Sequence, residues 1–213
     1  MLKKRNEVSF KDLKKSFRYH KKKAGDIKYV ACFGKTFLEK EHDTYDISLN
    51  IGKCLIENGF GVLHGGYSGA MEAVSKGAEI AIQDSSDKNN SWNIGVPMEM
   101  FDRELNRSSK INLPPAKDIV DRKKALTHFC DACVVLPSGG IGTVLEAIEL
   151  FHLNQLAEKF GGEIKPIIFI GKHWKELMDN IMEKLDMEKQ KGGEEFTHFI
   201  DSVDQLVPIL NKI

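Results

Sequence analysis

Cysteine is scarce in this chain, at 4 in 213 residues, and so are proline, at 6, and aromatic side chains, at 8%. So few cysteines argue against a disulfide-stapled secreted scaffold and make reduced thiols the expectation. No apolar run reaches the roughly 18 to 20 residues that a bilayer span requires, and the charged start lacks the apolar stretch of a secretory leader. The expectation is a cytoplasmic protein with no membrane attachment. Net charge is missing too, since 31 Lys+Arg balance 31 Asp+Glu. No overall positive field therefore favours a nucleic-acid partner. Low-complexity tracts and internal repeats are absent, which excludes wholesale disorder and a solenoid.

What is present suits one compact domain: 41% hydrophobic residues, enough to build a core, and 18 glycines. Charge is unevenly placed. Residues 1–23 hold ten Lys or Arg against Glu7 and Asp12, a local net of +8, which leaves the rest of the chain at −8. Within that basic segment Phe10, Leu13 and Phe17 recur at helical spacing, so residues 1–25 read as an N-terminal extension whose helix docks on a domain spanning 26–213.

From Ile27 onward short β-rich runs alternate with amphipathic stretches. Strands are expected at Ile27–Gly34, Phe60–Leu63, Trp92–Val96, Ala132–Leu136, Pro166–Ile170 and Phe196–Ile200. Helices are expected at Asp43–Asn58, Ala70–Gln83, Ala116–Phe129, Thr143–Phe160, Trp174–Lys189 and Val203–Leu210, with a polar stretch from Met98 to Pro115. Such alternation implies an α/β fold of Rossmann-like, doubly wound type, with a mostly parallel sheet and helices on both faces.

Two glycine-rich segments fall at strand ends, His64-Gly65-Gly66-Tyr67-Ser68-Gly69 and Pro137-Ser138-Gly139-Gly140-Ile141-Gly142. Ligands of open α/β sheets bind beyond the carboxyl ends of the strands. Glycine there lets main-chain N–H groups approach an anion, and the following helix adds unpaired N–H groups and the positive end of its dipole. Phosphate is the expected guest. Neither segment spells a P-loop or a dinucleotide fingerprint, which weakens the ATPase and dehydrogenase readings.

Thr143-Val144-Leu145-Glu146 fits two readings. Glu146 could close a capping box on Thr143, or it could face the reacting carbon of a substrate held at the glycine loop. Arg122-Lys123-Lys124 leads into the strand that carries this loop, so one of its cations could turn toward the anion, with Arg suited to bidentate contact. Cys130 and Cys133 form a C-x-x-C, but no second pair exists and the motif runs into an apolar strand, so buried, inert thiols are expected and no metal. His64 is a candidate ligand contact, with a satisfied buried histidine as the commoner alternative. The long helix at Thr143–Phe160 is apolar nearly all round, which suggests a homodimer if it is not wholly buried in one subunit.

Leu136-Pro137-Ser138-Gly139-Gly140-Ile141-Gly142-Thr143-Val144-Leu145-Glu146 resembles the PGGxGTxxE signature of the LOG ("Lonely guy") family, formerly labelled lysine decarboxylases. Val120-Asp121-Arg122-Lys123 resembles the family's M-x-x-R-K element, and His64-Gly65-Gly66-Tyr67-Ser68-Gly69-Ala70-Met71 resembles its GGGxxGLM loop. The agreement in order and spacing runs from about Ile27 to Ile170. The resemblance implies a Rossmann-like homodimer that hydrolyses the N-glycosidic bond of nucleoside 5′-monophosphates, AMP or cytokinin nucleotides, without a cofactor. It also implies catalysis by Arg122 and Glu146, with Gly65, Gly66, Lys123, Gly139, Gly140, Ile141, Gly142 and Thr143 holding the substrate. Three departures stand out: Ser138 is inserted after the proline, His64 replaces a glycine, and Ala70 replaces a leucine. His64 and Ser138 keep a non-catalytic alternative open, a nucleotide or molybdenum-cofactor carrier on the same scaffold. A pyridoxal-dependent decarboxylase would need a Schiff-base lysine and an enclosing cofactor site that this pattern does not indicate.

Overall fold

The computed structural model describes residues 8–99, 105–184 and 195–213. Part of the expected basic cluster (Lys3, Lys4, Arg5), part of the polar stretch and the end of the helix expected to reach Lys189 lie outside these residues.

Seven strands form one sheet: β1 (Tyr29–Phe33), β2 (Gly61–His64), β3 (Asn93–Gly95), β4 (Ile111–Asn112), β5 (Ala132–Val135), β6 (Ile167–Ile170) and β7 (Thr197–Ile200). Every pairing is parallel, in the order β4-β3-β2-β1-β5-β6-β7. The helices are α1 (Phe10–Ala24), α2 (Asp43–Glu57), α3 (Ala70–Asp84), α4 (Ile119–Phe129), α5 (Ile141–Phe160), α6 (Lys172–Lys184) and α7 (Leu206–Leu210).

The period-2 alternation of the strands sorts the core into two layers. Tyr29, Ala31 and Phe33 of β1, with Cys133 and Val135 of β5, face one side, where α1, α4, α5 and α6 pack. Val30, Cys32 and Val134 face the other, covered by α2, α3 and α7. Both faces are thus closed, as a parallel sheet requires, and the fold is α/β and Rossmann-like. Among the described residues no helix is long and apolar enough to cross a membrane.

Several boundaries differ from expectation for identifiable reasons. α4 starts at Ile119 because Asp118 is its cap, its carboxylate accepting from the Asp121 N–H at 2.8 Å. α5 starts at Ile141, inside the glycine motif, which makes Gly140 its cap. The closing helix divides into a 3-10 turn (Val203–Gln205) and α7. β4 was not expected at all; it is a two-residue strand within the polar stretch, paired to β3 through Ile94–Ile111.

The basic helix α1 is anchored rather than free. Leu13 and Phe17 are buried in the first core layer, and the Phe17 ring stacks on Phe129 at 4.7 Å. Phe10 stacks on the same ring at 5.4 Å, while Lys11, Lys14, Lys15 and Arg18 remain exposed. On the opposite face α2 and α3 meet backbone to backbone. A Cβ at Gly52 would lie 1.9 Å from the Val74 carbonyl oxygen, and one at Gly77 would lie 1.9 Å from that of Leu49, so only glycine permits the approach.

Candidate active site

The strand order reverses direction between β1 and β5, so the switch-point crevice opens above the carboxyl ends of those two strands. A cleft of about 380 Å³ occupies that position. Its walls come from the loop after β1 (Gly34, Lys35, Thr36), from Tyr67 and Met71 after β2, from the first turns of α4 (Ile119, Arg122, Lys123), and from the start of α5 (Gly140, Gly142, Thr143, Leu145, Glu146). A second concavity of about 450 Å³ lies at the amino ends of β1, β5, β6 and β7, where Lys28, Asp131, Glu163 and Lys212 mix signs without any glycine loop. The carboxyl-end cleft is therefore the candidate site.

Arg122 lies at its floor, 6% exposed. Its guanidinium donates from Nε to the Val96 carbonyl (3.0 Å), from Nη1 to Glu146 Oε1 (3.3 Å) and from Nη2 to the Gly65 carbonyl (3.3 Å). A Cβ at Gly65 would stand 2.1 Å from Arg122 Nη2, so a larger residue there would displace the guanidinium from its place. Three segments distant in sequence are thus tied together by one buried fork of donors.

Glu146 is 8% exposed and turned toward the cleft. The capping-box reading of this residue is overturned. With α5 beginning at Ile141, Glu146 falls well beyond the cap, and it is Thr143 whose Oγ1 accepts from the Gly140 N–H at 3.4 Å. Burial pushes the Glu146 carboxyl above the ordinary glutamate value, against the opposing pull of Arg122 and Lys123. Arg122 engages Oε1, and no described protein group bonds Oε2. Lys123 is held elsewhere, its ammonium donating to Glu149 Oε2 at 2.5 Å.

The start of α5 has the form of an anion-binding element. No side chain caps it, so the N–H groups of Ile141, Gly142 and Thr143 keep the orphan-donor character of a helix start. Gly140, Gly142 and Thr143 line the cleft directly. Gly139 instead packs against Thr143 and the Trp174 ring, and the Ile141 side chain is 78% exposed. Gly66 does not reach the cleft; its carbonyl accepts from the Asn106 N–H at 2.9 Å. The loop after β1, with Lys35 and Thr36, lines the site without having been singled out in the sequence.

His64 is not a ligand contact. It is fully buried, and its Nδ1 accepts from the Gly66 N–H at 3.0 Å, which puts the ring proton on Nε2, 3.1 Å from Asn93 Oδ1. Asn93 is fixed in turn by donating to the Ser75 carbonyl and hydroxyl at 3.0 and 3.1 Å. This relay holds the Gly65–Gly66 turn whose carbonyl receives Arg122. Burial, aided by the charge of Arg122 and opposed by the Asn93 bond, lowers the His64 pKa from 6.5 to about 4.

A pH dependence of stability follows. Between about 4 and 6.5 the folded state binds fewer protons at His64 than the unfolded chain, so stability falls as pH drops through that window, by at most about 3 kcal/mol. Glu146 contributes the opposite slope, losing stability as pH rises above 4.5. Thermal unfolding of His64→Gln between pH 7 and 4.5 should show a shallower decline than the parent; equal slopes would contradict the assignment.

Cys130 and Cys133 are both buried thiols, with burial raising Cys130 to about 12 and Cys133 in the same direction. Among the described residues no group of three or more His, Cys, Asp or Glu is placed to hold a metal ion.

Comparison with known proteins bears on family and fold. The family model described as "Possible lysine decarboxylase" matches residues 71–210. The cytokinin riboside 5′-monophosphate phosphoribohydrolase LOG of Oryza sativa subsp. japonica is 32% identical over 113 residues, covering 52% of this chain and 43% of the rice protein, so the match spans less than half of that relative. Among solved structures, TM1055 superposes with a TM-score of 0.65 at 22% identity, covering 88% of this chain and all of the other. The molybdenum cofactor binding protein of the phototrophic bacterium Rippkaea orientalis superposes at 0.62 with 16% identity, covering 88% and 98%. These two likenesses concern the fold. With the second glycine loop and the Arg122–Glu146 pair meeting at one cleft, the family match over residues 71–210 identifies the chain as a member of the LOG family.

Proposed function

We propose that the protein hydrolyses the N-glycosidic bond of nucleoside 5′-monophosphates, releasing the free base and ribose 5-phosphate. The observation that carries this reading is a buried, cleft-facing Glu146 held by Arg122 a few residues along the helix whose uncapped start is suited to a phosphate. Cleavage builds positive charge at C1′ of the ribose. A carboxylate in a water-poor site stabilises that charge far more than it would in solution. Glu146 Oε2 is the oxygen available to orient the attacking water. The water oxygen bonds to C1′ as the C1′–N bond breaks, Glu146 takes the water's proton, and that proton is passed to the departing base nitrogen. A carboxyl raised by burial is a better match for proton transfer near neutral pH than an ordinary one. Binding the remote phosphate at α5 holds the anomeric carbon against the acid.

The test is direct. Purified protein incubated with AMP and with isopentenyladenosine monophosphate should release base from at least one of them. If it turns over no nucleoside monophosphate and retains a pterin through native purification, the carrier reading takes its place.

The same reading includes a homodimer. α5 is not buried on all sides: Ile141, Leu145, Leu156 and Phe160 are exposed and fall within an arc of about 100°. Ile119 and Val120 of α4 add to the exposed apolar surface. Sedimentation at micromolar concentration should show a species of twice the chain mass, and substituting Phe160 by Asp should shift it toward the monomer. A parent protein that sediments as one chain would exclude the dimer.

A further inference from the structure

The switch point places a ligand between the loops that follow β1 and β5, yet the family's glycine motif occupies only the second. The first is Gly34-Lys35-Thr36. Its lysine is braced through both main-chain groups: the Lys35 N–H donates to the Ser138 carbonyl at 2.9 Å, and the Lys35 carbonyl accepts from the Ala70 N–H at 3.0 Å. The residue is thereby fixed between the starts of α3 and α5, and its exposed side chain lines the cleft.

The charges around it are already matched. Arg122 is bound to Glu146, Val96 and Gly65, and Lys123 to Glu149. Lys40, further along the same loop, pairs with Glu72 at 3.9 Å. A phosphate monoester bound at the α5 start would therefore meet helix-end dipoles and two internally neutralised pairs. Among the described cations that line the cleft, Lys35 has no acidic partner.

Resting on the proposed function, we propose that Lys35 is the cation that binds the phosphate monoester of the substrate. The uncapped N–H groups of α5 grip the anion from one side and the Lys35 ammonium from the other. The bonds to Ser138 and Ala70 mean that the main chain carrying this cation is positioned before the ligand arrives, which lowers the cost of binding. Ser138, the residue inserted relative to the family motif, supplies one of the two main-chain groups that brace Lys35.

Calorimetric titration with ribose 5-phosphate, AMP and adenosine tests this on Lys35→Met and Lys35→Arg. Methionine should weaken ribose 5-phosphate and AMP about 10- to 100-fold, the range of a hydrogen bond to a charged group. Adenosine, which lacks the phosphate, should be unaffected, and arginine should recover most of the loss. If the parent turns over AMP, Lys35→Met should raise KM, and any fall in kcat should be smaller than the rise in KM. The proposal falls if Lys35→Met binds ribose 5-phosphate within about twofold of the parent, if adenosine weakens equally, or if the parent itself does not bind ribose 5-phosphate. A parent that binds ribose 5-phosphate through Lys35 but turns over no nucleotide would remove the hydrolase reading and leave the phosphate site standing; ligand retained through purification would then distinguish a ribose phosphate from a pterin phosphate.

Discussion

Under the proposed hydrolase function, replacing Glu146 by Gln should lower kcat at least about 100-fold while leaving nucleotide binding nearly intact. The amide keeps the size of the side chain and can still accept from Arg122 Nη1, so the cleft keeps its shape. What is lost is the negative charge beside C1′ and the capacity to take a proton from water. Both are needed only as the bond breaks, so the loss falls on kcat and on kcat/KM together. The parent should also lose activity on the acid side at a pH above that of an ordinary glutamate, because burial raises this carboxyl and activity needs it ionised. Glu146→Gln should lack that acid limb. A variant that retains more than a tenth of the parent rate would show that the carboxylate is not engaged with the reacting centre.

The second large effect is on stability. Arg122→Met removes one partner of a buried ion pair and strands the Glu146 carboxylate together with the Gly65 and Val96 carbonyls. Breaking such a pair costs about 3 to 5 kcal/mol, because the remaining charge stays desolvated. The carboxyl should respond by holding its proton to still higher pH, since the pull of Arg122 that now opposes burial would be gone. Adding Glu146→Gln to Arg122→Met should restore part of the loss, so the double variant is more stable than the sum of the singles predicts. Chemical denaturation of the four proteins measures this cycle. Additivity within about 0.5 kcal/mol would mean that the two residues do not support each other in the folded state.

Much of the architecture was readable because its signals are local. The runs Ile27–Gly34 and Ala132–Leu136 are apolar, β-branched and closed by glycine or proline, and parallel strands buried on both faces have that appearance. The resemblance of their motifs implied that Arg122 and Glu146 share a site, but the ion pair between them, across 24 positions, was not legible in the sequence. Other features left no local mark. β4 has two residues, too short for any periodicity to register, and it forms only because Ile111 finds Ile94 alongside. Lys35 was passed over because a single lysine after a strand resembles any solvated charge; its significance comes from the strand order, which brings β5 beside β1. The capping alternative for Glu146 failed for a related reason. Thr143 looks like a cap, but Gly140 takes that role, so the helix begins earlier and turns the acid inward. His64 illustrates the converse, since a substitution within a glycine loop is accommodated by a buried partner, Asn93, located 29 positions away.

The contact at Gly52 and Gly77 divides the mechanical behaviour of the cleft. On the side of α3, carbonyl groups of each helix rest against the glycines of the other, and no side chain lies between them to flex. Sliding α3, and with it the turn that receives Arg122, would require prising two main chains apart. On the side of α4 and α5 the helices share the packed core layer and are joined at the cleft by two ion pairs, Arg122 to Glu146 and Lys123 to Glu149. The wall built on α2 and α3 is thus a rigid platform, and it holds the turn that receives Arg122 opposite the helix that carries the acid.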